Sequence, residues 1–159
     1  MAIVSLTGAQ VQLAVAWTGT APGGSTVPSG TLSSPSDISS WVTNVSVDDS
    51  LDLQDITNFG SAGYKQQASA LRQLKFTFSA LNDYAASQLD QIIYTTIGGL
   101  TTLVYVDVKP TSSARGTANP SWVFATYLSD WQPLSAKVGD VPQVSVTWTS
   151  TGRYARLTA

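Results

Sequence analysis

The segment from Asn44 to Gln54, NVSVDDSLDLQ, constrains the fold more than any other part of the chain. Its even positions are all polar: Asn44, Ser46, Asp48, Ser50, Asp52 and Gln54. The odd positions read Val45, Val47, Asp49, Leu51 and Leu53, apolar except for one aspartate. Side chains that repeat every two residues fall on opposite faces of a strand. The segment is therefore expected to be extended, with one face to bury and one short-chained, acidic face left over. Asp48-Asp49-Ser50 also has the composition of a turn. The pattern thus fits either one strand or a hairpin bending there, and a bend would redirect the polar set.

Charge and composition narrow what such a face can be for. The chain has 159 residues, one domain's worth, and no cysteine or histidine. Disulfides, thiolate metal sites and imidazole acid–base chemistry are therefore excluded. All ten acids are aspartate. Residues 1–64 hold five aspartates and no lysine or arginine, a net of −5, whereas residues 65–159 hold five aspartates against eight cations, a net of +3. Such asymmetry fits either an interaction tail or two surfaces that face different partners. No basic cluster exists to hold nucleic acid by its phosphates. No apolar run approaches the ~20 residues of a membrane-spanning helix, and the N-terminus lacks a basic region of the kind that opens a signal peptide.

The remaining chain reads as strands with one helix. Val11, Leu13, Val15 and Trp17 alternate with polar or small residues, as do Leu74, Phe76 and Phe78, and later Val144, Val146 and Trp148. Leu100–Lys109 and Ser121–Trp131 read as a hairpin with a long loop between them. Ala85, Leu89, Ile92, Ile93 and Ile97 form one helical stripe, with Asn82 or Asp83 as cap and Gly98-Gly99 as stop, predicting a helix over about 83–97. Residues 18–40, rich in Ser, Thr, Gly and Pro, are expected to lack regular structure: a surface loop in a monomer, a bridging arm in an oligomer. The expected fold is a mainly β single domain over 1–159. It is a β-sandwich or partly open barrel of six to seven strands with one flanking helix, a loop or arm at 18–40 and a basic tail at 150–159.

The acidic cluster does not spell out a metal or catalytic site. Asp48, Ser50 and Asp52 fit the first positions of a calcium loop, but Leu53 stands where that loop needs glycine and Phe59 where it needs glutamate. No nucleotide-binding, nucleophile or cofactor motif is present. The expectation is a protein that is not an enzyme, with no cofactor and no metal.

Three further runs carry a resemblance. They are Asp55-Ile56-Thr57 beside Phe59-Gly60; Asn82-Asp83 ahead of the helix; and Pro133, Gly139-Asp140, Trp148 and Gly152 near the C-terminus. In their order and spacing they resemble the major tail tube proteins of siphophages, over roughly residues 41–152. The resemblance implies hexameric rings that stack into a hollow tube for DNA ejection, assembled in the bacterial host cytoplasm and located in the virion tail. It further implies a tape-measure protein, tail terminator and head–tail connector proteins as partners, and genomic DNA in transit without specific binding. On that reading Asn44, Ser46, Asp48, Ser50, Asp52 and Gln54 face an acidic lumen. Ring–ring contact is expected from the 18–40 arm and the tail, through Pro22, Gly24, Val27, Pro28, Leu32, Arg153 and Arg156. The alternative is a head–tail joining or capsid decoration protein that forms closed oligomers.

Overall fold

The computed structural model of the chain describes residues 8–58, 60 and 62–159. It is a sandwich of antiparallel sheets. The larger sheet contains β1 (Gln10–Ala14), β4 (Ser36–Asp37), β7 (Leu103–Lys109), β8 (Ser121–Tyr127) and β10 (Ala155–Leu157), in the order β10-β8-β7-β1-β4. The smaller sheet contains β5 (Val42–Asp55), β6 (Gln67–Leu81) and β9 (Gln143–Thr149), in the order β5-β6-β9. A separate hairpin pairs β2 (Ala16–Thr20) with β3 (Ser29–Ser33). No sheet closes into a barrel among the described residues.

Alternation builds the core. Leu74, Phe76, Phe78 and Ala80 of β6, with Val144, Val146 and Trp148 of β9, face Val11, Leu13, Val104, Val106 and Phe124 of the larger sheet. Trp148 lies against Phe76 and Phe78, ring centroids 6.1 and 5.0 Å away, and its indole N–H donates to the Asp130 carbonyl at 3.0 Å. A buried indole needs such an acceptor, since an orphaned donor costs about 1–3 kcal/mol.

The long acidic segment is one strand. β5 runs unbroken through Asp48-Asp49-Ser50 because β6 pairs with it residue for residue there, Asp48 opposite Lys75 and Ser50 opposite Gln73. The ladder outweighs the turn tendency of Asp and Ser.

The helix is shorter than its stripe predicts. Only α1 (Leu89–Gln91) is α-helical, and it continues as a π-helical turn over Ile92–Thr96. Asp83 accepts the Ala85 amide at 2.9 Å and so closes a turn instead of capping a helix. Ser87 then adopts φ +64, which no helix accommodates. Leu89, Ile93 and Ile97 still bury their stripe, whereas Ala85 is exposed.

Residues 18–40 are also not a structureless loop, and the C-terminal segment is not a free tail. The β2–β3 hairpin lies in the first and β10 in the second. The pairing of Gly19 with Gly30 explains why a Ser/Gly/Pro-rich stretch forms strands. Both glycines have φ near +100, and a Cβ on Gly30 would stand 1.9 Å from the Thr18 carbonyl oxygen. The backbones approach too closely for any side chain. The hairpin is then fastened to the sandwich. Trp17 packs on Tyr105 with centroids 5.9 Å apart, and Arg115 reaches from the β7–β8 loop to the Gly30 carbonyl at 2.5 Å. The same guanidinium meets the buried Asp107 carboxylate at 2.7 Å, and Ser121 donates to that carboxylate as well.

Candidate assembly surface

Strand pairing turns one polar stripe into a polar sheet. Asn44, Ser46, Asp48 and Ser50 of β5 stand opposite Ser79, Thr77, Lys75 and Gln73 of β6. Ser79, Thr77 and Lys75 stand in turn opposite Ser145, Thr147 and Thr149 of β9. All of these share the face turned away from the core, and none is apolar. Hydroxyls bridge the strands across it: Thr77 and Thr147 at 2.9 Å, Ser79 to Ser145 at 3.3 Å, and Ser50 to the Gln73 carbonyl at 3.4 Å. The sequence shows β5 alone as acidic. The structure places Lys75 directly across from Asp48, so the body of this face carries one charge of each sign. The body of the face is therefore nearly neutral and hydroxyl-rich, with Asp52 and Gln54 further out along the same side of β5.

Among the described residues β5 and β9 each form a ladder with β6 alone, so the outer edge of β5 has no strand partner there. The outer edge of β9 is engaged at its two ends, where the Gln143 amide donates to the Ser135 carbonyl at 3.5 Å and the Thr149 carbonyl accepts the Thr126 hydroxyl at 2.8 Å, and has no strand partner between them. Among the described residues this leaves the edge of a 14-residue strand, β5, without a neighbour, a feature that soluble proteins normally cover or interrupt.

Beyond Ser50 the two long strands leave the sandwich as a ribbon. β6 carries an extra residue between Arg72 and Ser69, where the register against Leu51 and Leu53 shifts. From that bulge outward β5 is exposed throughout, and Leu53 (56%), Tyr64 (77%) and Leu71 (77%) point apolar groups into solvent. At its far end the ribbon leads into Asp55-Ile56-Thr57. Thr57 donates its amide to Asp55 at 2.8 Å, and its hydroxyl accepts the Gln66 amide at 2.8 Å. Those Thr57 hydrogen bonds hold the Asp55 carboxyl below its ordinary value. Gly60 donates its amide to the Asn58 side chain at 2.8 Å, and Phe59 lies outside the described residues.

Asp49, the one break in the apolar series, has its own use. It falls on the core side of β5, opposite Leu74, where the sandwich ends. Arg72 grips it with two bonds, Nε to Oδ1 at 2.9 Å and Nη2 to Oδ2 at 2.8 Å, and the Tyr154 hydroxyl donates to the same carboxylate. The Arg72 guanidinium holds the Asp49 carboxyl below the usual range. Burial, reinforced by the bond to Asp49, pushes the Tyr154 hydroxyl up to about 12. Nothing in the local sequence indicated this trio, because its third member lies 105 residues away.

The residues expected at a ring–ring contact divide: Gly24, Val27, Arg153 and Arg156 are exposed. Pro22 and Pro28 are buried and Leu32 is half-buried. The hairpin tip pairs with the C-terminal segment: Gly23 donates its amide to the Arg153 carbonyl at 2.8 Å, and the Arg153 amide donates to Gly24 at 3.2 Å. The Arg153 guanidinium caps the Ser25 carbonyl at 3.2 Å, and that of Arg156 lies 5.7 Å over the Trp122 ring. Of the seven, Val27 projects an apolar side chain into solvent, 57% exposed. Within the chain the two segments pair with each other. Among the described residues no three acidic side chains converge as a metal cluster would, and no helix is long and apolar enough to cross a membrane.

No protein-family model matches this chain, and no curated protein matches it. Its fold recurs in a virion. A chain of the solved structure of the virion of a native gene transfer agent particle superposes with a TM-score of 0.59 at 9% sequence identity. The match covers 77% of this chain and 88% of that one. At that identity the likeness is one of fold, and it includes most of the neighbour's length.

Proposed function

We propose that this chain is a structural protein of a phage-like virion, and that its copies join side by side and in stacks as a tail tube. One observation carries the reading. A three-stranded sheet presents a polar face across all three strands, buries its other face and, among the described residues, has no neighbouring strand along the outer edge of β5 or along the middle of the outer edge of β9. Edge-to-edge addition of copies removes the exposed edges and continues the polar face around a ring. Six copies of a three-stranded sheet give about eighteen strands, a number at which closed barrels enclose a water-filled channel. The fold neighbour from a virion particle and the tail-tube-like order of short motifs support the same reading.

The chemistry of the face suits passage of DNA without capture. Hydroxyls and amides line it, Asp48 offsets Lys75, and no cation is in excess to condense on phosphates. The ribbon beyond Leu51 is the element free to reach an adjacent ring, a role the sequence suggested for residues 18–40. A tape-measure protein inside the tube and terminator or connector proteins at its ends complete the proposal as partners, with assembly in the bacterial host cytoplasm.

Negative-stain microscopy of the purified protein tests this. Hollow stacked tubes are the expected result. Discrete rings would favour a head–tail joining or decoration protein, and monomers at high concentration would overturn self-assembly altogether.

A further inference from the structure

The trio Asp49, Arg72 and Tyr154 sits where the sandwich ends and the ribbon begins. Along β5 the core-side series runs Val45, Val47, Asp49, Leu51, and at Asp49 the apolar partners across the sandwich run out. Immediately beyond, the ladder slips by one residue between Arg72 and Ser69. The bulge bends and twists the strand at the root, but a two-stranded ribbon is only marginally stable by itself and does not hold that direction rigidly.

Something outside the ribbon has to set that direction, and the trio is placed to do so. Asp49 belongs to β5 and Arg72 to β6, so their bidentate bond ties the two strands across the ladder at the root. Tyr154 precedes β10, which pairs with β8 in the opposite sheet. The carboxylate thus joins both strands of the ribbon to the other layer of the sandwich. Beside the joint lies an open hollow lined by Asp52 and Leu71 of the ribbon and by Ser150, Gly152 and Arg153. It leaves room for the ribbon to swing toward the C-terminal segment if the joint were undone.

We propose that Asp49, Arg72 and Tyr154 are positioning residues that hold the ribbon in one exit direction, so that it is offered to a neighbouring copy already oriented. Its use rests on the assembly reading above, but its test does not. An element ordered before contact loses less conformational freedom on binding, which is where preorganised contacts gain their affinity.

The chain has no cysteine, so two introduced ones label without competition. Spin labels at Leu53→Cys on the ribbon and Ser25→Cys on the hairpin tip report the separation across the hollow. The parent is expected to give a single narrow distance population. Asp49→Asn, Arg72→Gln and Tyr154→Phe are expected to lose it and gain a shorter population, with the melting temperature of the body little changed. Arg72 and Tyr154 stand near the surface, so their variants carry the test if Asp49→Asn does not fold. An unchanged narrow population in the folded variants would overturn the proposal, whatever their stability. Altered distances in a protein that forms no tubes would uphold the joint and sink the tail-tube reading. Unaltered distances in a protein that does form tubes would do the reverse.

Discussion

Replacing Arg115 by Gln should separate the β2–β3 hairpin from the sandwich and lower stability sharply. Arg115 is only 13% exposed at its side chain and Asp107 7%, and they meet at 2.7 Å. Removing the guanidinium leaves a buried carboxylate with only the Ser121 hydroxyl as a side-chain donor. Breaking one side of a buried ion pair typically costs about 3–5 kcal/mol. That is a large share of the roughly 5–15 kcal/mol that holds a domain folded. For a chain of this size it corresponds to a fall of roughly 6–20 °C in melting temperature. The Gly30 carbonyl loses its donor in the same step, so amide exchange in β2 and β3 should rise more than elsewhere. The decisive arm is the double variant Asp107→Asn/Arg115→Gln, in which no charge is stranded. It should recover to within about 1–2 kcal/mol of the parent. Thermal and urea unfolding followed by circular dichroism measure both. A single variant within about 0.5 kcal/mol of the parent would refute the reasoning, as would a double variant no better than the single one.

Three further outcomes follow from the same structure. Gly30→Ala forces a Cβ against the Thr18 carbonyl at a φ of +102, and it should cost about 1–3 kcal/mol with the loss of protection confined to the hairpin; uniform loss across the sandwich would contradict the close approach as its cause. The joint at the ribbon root should open at both pH extremes. Asp49 is depressed, so its contribution is full above the ordinary value of 3.8 and is lost as pH falls through the lower folded value. Tyr154 is raised, so its contribution is full below 10.0 and is lost as pH rises toward about 12, checked by the spin-label distances and a spectrophotometric tyrosine titration. Asp48→Lys with Asp52→Lys adds to Lys75 a cluster of cations on the polar face, so tubes should still form while DNA ejection slows; normal ejection from such tubes would show that this face does not line the channel.

Much of the architecture was legible because its signal is local. Alternation at Asn44–Gln54, Leu74–Phe78 and Val144–Trp148 marked three strands and the side of each that would be buried. Those strands form one sheet with that side inward. The reading failed where local chemistry competes with a distant partner. Residues 18–40 look disordered until Gly19 meets Gly30 and Arg115 arrives from the β7–β8 loop. The helix starts late because Asp83 prefers a turn and Ser87 leaves the helical region, neither of which the apolar stripe records.

What the sequence alone determined is therefore the set of faces: a period of two dictates which side chains lie together along one strand, whatever the rest of the chain does. Which strands lie side by side was decided only by the tertiary structure. That decision put Lys75 across from Asp48 and so neutralised a stripe that reads as acidic. It also made a single polar surface of three separate stripes. It turned Asp49 from a break in the pattern into the anchor of a joint whose other members lie 23 and 105 residues away. Periodicity belongs to one strand, whereas charge pairing and edge exposure belong to neighbours, and neighbours are chosen by the packing of the whole core.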